Sequence, residues 1–230
     1  MRTEHQMPEF MKNHYTLEAV KVLEKKKATL IFKRLFDICL SLILLVILSP
    51  VFLVLAICIK LEDGGPIFYR QQRITTYGRV FRIFKFRTMI LNADKMGPLV
   101  TQDHDSRITK IGKKIRDFRL DEIAQLINVL IGDMTFVGTR PEVQKYVDAY
   151  SEEMMVTLLL PAGITSRSSI EFRNEADKIS KWMEQGLTAD EAYIQKILPE
   201  KMQYNIDYIE EVSVAQDIKV MLQTVFAVLR

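Results

Sequence analysis

Residues 38–59 read ICLSLILLVILSPVFLVLAICI and hold no charged side chain between Asp37 and Lys60. At about 1.5 Å per residue, a straight helix of this length reaches about 33 Å, enough to cross the hydrocarbon core of a bilayer. Ser49-Pro50 falls near the middle, and a proline inside a helix removes a backbone hydrogen bond and kinks the helix. Each half alone reaches only about 15–18 Å, which is too short to cross. The stretch therefore predicts a bent membrane helix.

Basic side chains flank this stretch on both sides, upstream as Lys25, Lys26, Lys27, Lys33 and Arg34, and downstream as Lys60, Arg70, Arg73, Arg79 and Arg82. Lysine and arginine beside a membrane segment tend to stay in the cytoplasm, so both flanks are expected on one side, which a straight span does not allow. A re-entrant helix that enters and leaves through one face satisfies both observations, and a kinked span is the alternative. The stretch begins too late and is too long for a cleavable signal peptide.

This segment divides the chain into an N-terminal extension over 1–32, the re-entrant membrane helix over 33–60 and a cytoplasmic domain over 61–230. In the extension, Leu17, Val20 and Leu23 have weak helical spacing, which suits either a helix on an anionic membrane surface or a frayed terminus. Near the C-terminus, an apolar face runs along residues 218–229 (Ile218, Met221, Leu222, Val225, Phe226 and Leu229). That face predicts a core helix, a helix on the membrane surface or a protomer contact.

Charge is distributed unevenly along a chain whose composition is typical of a globular protein. Residues 60–120 carry 14 Lys/Arg against 6 Asp/Glu, whereas residues 142–230 carry 9 against 15. A basic middle indicates an anionic partner such as phosphate, nucleic acid or lipid headgroups, with an ordinary solvated surface as the alternative. The two cysteines, Cys39 and Cys58, have no metal-ligand or disulfide spacing and are expected to be small buried hydrophobes.

The basic middle contains two predicted strands, residues 67–69 and 80–87, after the turn sequence DGGP. The second alternates apolar and basic side chains, and so presents Arg82, Lys85 and Arg87 beside aromatic rings. No GxxxxGK[ST] or GxGxxG sequence occurs, which excludes a P-loop or dinucleotide motif. Asp103-His104-Asp105 has the D-x-D form of metal-dependent glycosyltransferases, but no apolar strand precedes it, so we do not expect a metal site there.

Residues 116–133, RDFRLDEIAQLINVLIGD, predict a helix that begins near Leu120 and ends at Gly132. Asp121 and Glu122 fall in its first turn, where the helix dipole favours negative charge. Acids are common there for stability alone, and a surface helix start is the ordinary interpretation. Arg116 upstream and Arg140 downstream favour an active site instead. Two acids between guanidiniums, next to a membrane insertion, suit chemistry on a phosphate diester or anhydride.

These motifs together resemble one known family, the monotopic bacterial phosphoglycosyl transferases, also described as bacterial sugar transferases. The matching pieces are KRLFDICLS…LSP at 33–50, GGPIFYRQQRI at 64–74, FKFRTM at 84–89, DSRITKIGKKIR at 105–116, LDEIAQLINVLIGDM at 120–134 and VGTRPE at 137–142. Weaker similarity continues through GITS and YNIDYIEEVSVAQDIKVMLQT. The resemblance covers nearly everything after residue 32, and the ordered set is far more specific than any single piece.

The resemblance implies a transfer of sugar-1-phosphate from a nucleotide diphosphate sugar, usually a UDP-sugar, to a membrane polyprenol phosphate such as undecaprenyl phosphate. It implies that Asp121 is a nucleophile that forms a covalent phosphosugar intermediate and that Glu122 helps to hold Mg²⁺. Arg116 and Arg140, the latter followed by Pro141, would bind phosphate, and Lys85 and Arg87 match the basic strand that borders the site. The Ser49-Pro50 kink would produce the re-entrant helix hairpin.

The fold class that follows is α/β and mainly helical: the re-entrant membrane helix hairpin plus a small cytoplasmic catalytic domain with short strands and amphipathic interfacial helices. The location implied is the cytoplasmic face of the bacterial inner membrane, where the chain would start a glycan such as an exopolysaccharide. Members of the family often pair, so a homodimer is allowed. The transferred sugar, the nucleotide and the pathway are not specified by the motifs.

The sequence departs from the usual family pattern at four places. These departures leave Asp121 and Glu122 in place and are expected to affect recognition of the sugar or the nucleotide. The usual LDELPQ reads LDEIAQ at 120–125, without its proline, and GPRP reads GTRP at 138–141. A usual basic residue followed by PGITG reads LPAGITS at 160–166, and Thr75-Thr76-Tyr77 replaces a glycine-rich turn.

Two rival classes remain as alternatives. A non-catalytic membrane-anchored protein could use the same basic surface to bind anionic lipid or nucleotide, but the intact acids and arginines argue against it. Nucleic-acid binding is disfavoured by the membrane segment and by the lack of a recognisable nucleic-acid motif, so no nucleic-acid partner is expected.

Overall fold

The computed structural model describes residues 7–93, 96 and 105–229. The helices are α1 (His14–Lys25), α2 (Lys27–Ile47), α3 (Ser49–Asp63), α4 (Lys110–Asp117), α5 (Gln125–Ile131), α6 (Gln144–Val147), α7 (Arg167–Glu171), α8 (Glu175–Met183), α9 (Ala189–Ala192), α10 (Leu198–Glu211) and α11 (Val214–Leu229). The strands are β1 (Phe68–Ile74), β2 (Val80–Phe86), β3 (Met134–Val137) and β4 (Ala162–Thr165). The chain is mainly helical with two small sheets, in agreement with the predicted α/β class.

The predicted break in the apolar segment is confirmed at Leu48, where α2 and α3 meet at a bend of 60°. Pro50 lies in the first turn of α3, where its missing N–H is not needed by the helix, and Ser49 Oγ donates to the carbonyl of Val46 at 2.8 Å. Among the described residues, no single helix is long and apolar enough to cross a membrane, and only the bent pair reaches that length and composition.

Helix α1 packs its apolar side chains against the rest of the protein. Val20 and Leu23 are buried in the main core, and Lys26 Nζ donates to the carbonyl of Glu210 at the end of α10. Residues 1–32 were predicted to form either a helix on the membrane surface or a frayed terminus. Both predictions are wrong for α1, because its apolar face is buried against the protein itself.

Polar side chains on the first half of α2 attach this helix to the main body. Lys33 is buried, pairs with Asp217 of α11 and donates to the carbonyl of Val137 at 3.0 Å. One turn later, Asp37 accepts from Thr135 Oγ1 at 2.6 Å on β3. Since buried charges are costly unless paired, these contacts fix where α2 leaves the body. The predicted membrane segment at 33–60 thus begins inside a longer helix.

Strands β1 and β2 form an antiparallel hairpin with Phe68 opposite Phe86 and Ile74 opposite Val80. Both predicted strands are confirmed, and the first continues five residues further than its apolar start suggested because the hairpin pairs its whole length. Its turn is tight, with Tyr77 and Gly78 both at positive φ.

Strands β3 and β4 are parallel and approach very closely at two glycines. A Cβ on Gly163 would lie 2.2 Å from the backbone nitrogen of Gly138, so only glycine fits at this position. The Gly138 N–H donates to the carbonyl of Thr165 at 3.0 Å, and the Gly163 N–H donates to that of Thr139 at 2.8 Å. This pairing holds the loop that follows β3.

A second, smaller core lies beneath the acidic turn. It joins α3, β2, α4 and the 3₁₀ turn Leu120–Ala124 through the buried side chains of Leu55, Ile59, Phe86, Ile115 and Ala124. Burying these apolar side chains stabilises the contact between the bent helix pair and the turn. The position of the acids is therefore tied to that of the membrane-type segment.

Helix α11 buries one side and leaves an apolar face open. Asp217 and Val220 are buried, whereas Ile218, Leu222, Val225 and Phe226 are 41–66% exposed. The prediction that this face belongs to a core helix is therefore wrong. Contact with the membrane surface and contact with a second protomer remain as the two other predictions. Cys39 is exposed and Cys58 is partly buried, so the expectation of buried cysteines is wrong for Cys39, which lies on an outward face of α2.

Candidate active site

The acidic pair lies on a 3₁₀ turn rather than in the first turn of a continuous α-helix. Arg119 adopts a left-handed backbone conformation (φ 55°), which ends α4 and redirects the chain into the turn Leu120–Ala124. Ala124 is fully buried in the second core, and α5 begins only at Gln125. The predicted helix is confirmed from Gln125 onward, while its first turn is tightened to 3₁₀ geometry.

Asn128 on α5 joins this helix to β2. Its Oδ1 accepts the N–H of Phe84 at 2.7 Å, and its Nδ2 donates to the carbonyl of Arg82 at 3.1 Å. Both partners are backbone atoms on β2, so the side chain fixes the register between helix and strand. This brings Lys85 beside the acidic turn.

Glu122 is held by cations from two directions. Lys85 Nζ donates to its Oε1 at 3.2 Å, Arg140 Nη1 donates to its Oε2 at 3.3 Å, and Arg140 Nη2 also donates to Oε1. Burial raises the pKa of Glu122, but Arg140 and Lys85 outweigh this and set its pKa well below the usual value. Glu122 is therefore ionised at neutral pH, and it raises the pKa of Arg140 in return.

Asp121 lies in a different environment from its neighbour. It is half-buried, and within the described part of the chain it forms no ion pair. Burial, followed by the charge of Glu122, raises the pKa of Asp121, while Lys85 and Arg116 oppose that shift. Adjacent acids with pKa values pushed in opposite directions are typical of sites where two carboxyl groups have different roles. Within the described residues, Glu122 is thus the carboxylate held by fixed cations and Asp121 is the one without an ion-pair partner.

A cavity of about 1060 Å³ opens beside these residues. Glu122, Arg140 and Pro141 are in its wall, together with Arg73, whose Nη1 donates to the carbonyl of Pro141 at 3.1 Å. Its lining also includes Leu44 and Leu48 at the helix break and residues of α11. The cavity thus joins a charged site to the apolar segment.

The predicted site residues are not all equally close to this cavity. Asp121 interacts electrostatically with Lys85 and with Arg116 beside Glu122, although all three are outside the cavity wall. Arg87 is buried and pairs with Asp63 at the end of α3, where a Cβ on Gly65 would clash with its guanidinium. In this conformation Arg87 attaches β2 to the bent helix pair.

Sequence reasoning missed a group of polar residues in the cavity wall: Arg73, Glu142, Glu175, Tyr193 and Lys201. Glu142 is the last residue of the VGTRPE motif and follows Arg140-Pro141 directly, a signal that could have placed it. The other members come from β1, α8, the π-helix Tyr193–Ile197 and α10, and no local pattern connects them.

The acidic pair provides a limited but suitable set of donors for a divalent cation. No group of three or more metal-ligating side chains occurs within the residues that the structure describes. Mg²⁺ commonly binds through one or two carboxylates, with substrate phosphates and water completing its shell. Glu122 Oε2 accepts a single hydrogen bond of 3.3 Å, so Glu122 and Asp121 fit a cation completed by substrate.

The D-x-D sequence is in part outside the described residues, since Asp103 and His104 are not described. Asp105 pairs with Arg107 at 2.6 Å, and hydrogen bonding to that guanidinium lowers the pKa of Asp105 to about 2. This carboxylate is occupied by a structural ion pair.

The chain is similar in sequence to several known proteins. The chain is 34% identical over 200 residues to a UDP-N-acetylgalactosamine-undecaprenyl-phosphate N-acetylgalactosaminephosphotransferase of Aeromonas hydrophila, covering 86% of this chain and 43% of the relative. It is 34% identical over 201 residues to a UDP-glucose:undecaprenyl-phosphate glucose-1-phosphate transferase of Escherichia coli, covering 85% and 40%. A putative undecaprenyl-phosphate N-acetylgalactosaminyl 1-phosphate transferase of Bacillus subtilis is 41% identical over 131 residues, covering 57% and 73%.

The chain spans about two fifths of the length of the first two relatives. The model of one family, described as bacterial sugar transferase, matches residues 28–230, which include the bent helix pair, the acidic turn and the cavity. The chain therefore belongs to the bacterial sugar transferase family.

Proposed function

We propose that this protein transfers a sugar-1-phosphate from a UDP-sugar to undecaprenyl phosphate and so begins a glycan or exopolysaccharide on a lipid carrier. The observation that carries the proposal is the division of the acidic pair: Glu122 is fixed by Arg140 and Lys85, whereas Asp121 forms no ion pair with any residue that the structure describes. The names of the relatives, which describe undecaprenyl-phosphate sugar phosphotransferases, support the substrate classes.

In the proposed mechanism, a carboxylate oxygen of Asp121 attacks the phosphorus that carries the sugar. The bond from this phosphorus to the bridging oxygen breaks, and UMP leaves with that oxygen. A phosphate oxygen of the polyprenol phosphate then attacks the same phosphorus, which breaks the bond to Asp121 and forms the lipid diphosphate sugar. The carboxylate is regenerated, so one sugar-phosphate is transferred per cycle.

The cations around the acidic pair offset the repulsion between an attacking carboxylate and a phosphate anion. The Arg140 guanidinium can bind phosphate oxygens in a bidentate manner, and Lys85 and Arg116 add positive charge next to Asp121. We propose that Glu122 also helps to hold a Mg²⁺ ion. When bound, such an ion would neutralise charge on the diphosphate and the leaving group.

The decisive experiment is release of UMP. Purified full-length protein in detergent or nanodiscs, given Mg²⁺, undecaprenyl phosphate and a panel of UDP-sugars, is expected to release UMP and form a lipid-linked sugar diphosphate with at least one donor. Excess EDTA should abolish this release, and added Mg²⁺ should restore it. If no UDP-sugar yields UMP while UDP-sugar or anionic lipid still binds, the chain is a binding protein and the proposal fails.

We further propose that the bent helix pair enters and leaves the cytoplasmic face of the bacterial inner membrane as a re-entrant hairpin. Supporting this, α1 precedes the pair and yet packs into the main core with residues that follow it. Because α1 and the residues after the pair share one hydrophobic core, both must lie on the same side of the bilayer. The outward side chains of the pair are apolar, as in Val46, Ile47, Leu53 and Val54, which are 58–67% exposed.

Cysteine labelling can test this topology. In a variant with Cys39 and Cys58 changed to serine, the separate replacements Lys25→Cys and Lys113→Cys place one thiol on each side of the pair. Both thiols should react with a membrane-impermeant maleimide in inside-out vesicles and be protected in right-side-out vesicles. Labelling of the two thiols from opposite sides would show a kinked span instead.

A further inference from the structure

One wall of the cavity carries four polar side chains to which the proposed phosphate chemistry assigns no role: Glu142, Glu175, Tyr193 and Lys201, here termed the polar wall. Lys201 Nζ donates to Tyr193 Oη at 2.8 Å and pairs with Glu175 Oε2 at 2.7 Å. Tyr193 Oη in turn donates to Glu142 Oε1. Glu142, Tyr193 and Lys201 are each less than a tenth exposed. Burying such charges costs free energy, so their presence in a cavity indicates a use.

The backbone around the polar wall is specialised. Tyr193 begins the π-helix Tyr193–Ile197, and the following α10 brings Lys201 back to its hydroxyl group. Single π-helical turns inside helices occur frequently at functional sites. The ring of Tyr146 lies 4.5 Å from that of Tyr193 and limits its movement. The hydroxyl group of Tyr193 is therefore preorganised.

The polar wall retains hydrogen-bonding capacity that the protein does not use. Within the described residues, neither Glu142 Oε2 nor Glu175 Oε1 accepts a hydrogen bond. Arg73 Nη1 lies 3.9 Å from Glu142 Oε2, which is beyond hydrogen-bond distance. Two carboxylate oxygens are thus free to accept from a ligand that carries several hydroxyl groups.

The location of the polar wall favours one part of the donor molecule. Glu142 and Glu175 both act electrostatically on Arg140, which pairs with Glu122. The sugar is joined by one oxygen to the phosphorus that reacts, so its ring must lie next to the residues that bind that phosphate. Lys201 and Arg73, which lies 3.9 Å from Glu142, balance the charges of the two carboxylates, and a wall of near-neutral net charge with free hydrogen-bond acceptors suits a neutral sugar. Leu44 and Leu48 line an apolar part of the cavity that suits an isoprenoid chain better.

We propose that the polar wall binds hydroxyl groups of the transferred sugar and determines which sugar is accepted. This inference rests on the proposed function, because it assumes a sugar nucleotide as donor. A site that hydrogen-bonds substrate hydroxyl groups rejects analogues that lack them or present them differently, since its buried polar groups would be left unpaired.

The test compares Tyr193→Phe with Tyr204→Phe, a matched control that loses a hydroxyl group on α10 outside the cavity wall. Calorimetry on the full-length protein would measure binding of UDP, UDP-glucose, UDP-galactose and UDP-N-acetylgalactosamine. In the unmodified protein, at least one UDP-sugar should bind more tightly than UDP. Tyr193→Phe should reduce that difference about tenfold and leave UDP binding unchanged, because one hydrogen bond to a charged network is lost. Tyr204→Phe should leave both unchanged.

Steady-state rates give a second readout. The ratio of kcat/KM between UDP-glucose and its 4-epimer UDP-galactose should change about tenfold in Tyr193→Phe. This ratio does not depend on the folded fraction, so partial loss of stability does not obscure it, and Glu142→Gln provides a second variant. If Tyr193→Phe weakens the binding of UDP and of UDP-sugars equally, the polar wall binds the nucleotide. If the kcat/KM ratio between the two sugars is unchanged, the polar wall has only a structural role. Either result overturns the inference.

The two proposals can fail separately. Absence of UMP release from every donor would contradict the transferase function, while the binding difference between UDP-sugar and UDP still tests the polar wall. Normal UMP release with unaltered sugar preference in Tyr193→Phe would contradict only the polar wall.

Discussion

Replacing Asp121 by asparagine is expected to reduce UMP release by about 10⁴-fold or more, because the amide cannot attack phosphorus and loss of a nucleophile removes most of the catalysis. The side chains have nearly equal volume, and Asp121 forms no ion pair within the described residues, so the fold should be retained. The measurement is single-turnover UMP release from a UDP-sugar, together with mass spectrometry of the protein after rapid acid quenching. The unmodified protein should carry one added sugar-phosphate, and Asp121→Asn none.

Asp207→Asn is a suitable control for this change. Asp207 lies on the exposed side of α10, and its side chain accepts a hydrogen bond from Gln203 one turn earlier, its one such contact in the described part of the chain. The same substitution there should leave UMP release within about twofold. Full turnover in Asp121→Asn, or an unmodified protein that never carries the adduct during turnover, would rule out the covalent route.

The pH profile gives a further readout on Asp121. Its carboxyl group must be ionised to attack, and burial together with Glu122 raises its pKa above the ordinary value for aspartate. The rate should therefore fall, as the pH is lowered, at a higher pH than an exposed aspartate would produce.

Replacing Arg140 by methionine is expected to lower kcat by about 10²–10³-fold, the usual effect of removing one preorganised group that stabilises transition-state charge. Arg140 provides both nitrogens of its fork to Glu122 and lies in the wall of the cavity that we propose binds the donor phosphates. Methionine keeps the apolar stem but not the charge. The measurement is steady-state kcat and KM for the preferred UDP-sugar, and lysine at this position should restore only part of the loss, because an ammonium group cannot form the bidentate contact.

The corresponding control is Arg79→Met. Arg79 pairs with Asp133 at 2.8 Å, is half exposed and lies outside the cavity wall, so the variant loses an ion pair but should keep kcat within about twofold. An Arg140→Met variant with unchanged kcat would show that this guanidinium only supports Glu122 and does not act on the substrate.

Two departures from the usual family pattern have a structural explanation. Ala124 replaces a proline, and its φ of −63° is the value that proline would impose, so the 3₁₀ turn keeps its geometry without that residue. Thr139 replaces a proline in the loop after β3, and the contact seen there uses its backbone carbonyl, which accepts from Gly163 at 2.8 Å. The backbone at these two positions is thus formed without a proline side chain.

Local sequence determined the features that depend on neighbours in the chain. The uncharged run and Pro50 predicted a bent helix pair, alternation predicted the β2 strand, and the apolar spacing predicted α5 after the acids. Each of these follows from backbone geometry over a few residues, which is why it can be seen without a structure.

Tertiary structure alone decided how distant residues meet. The contacts of Lys85 and Arg140 with Glu122, which leave Asp121 unpaired, depend on Asn128 fixing β2 and on two glycines fixing the loop after β3. The path of α1 back onto the body and the assembly of Tyr193 and Lys201 around Glu142 likewise connect residues that are far apart in sequence. Such contacts come from packing between separate elements, and since packing leaves no periodic signal along the chain, the sequence could name the reacting acids but not their different environments.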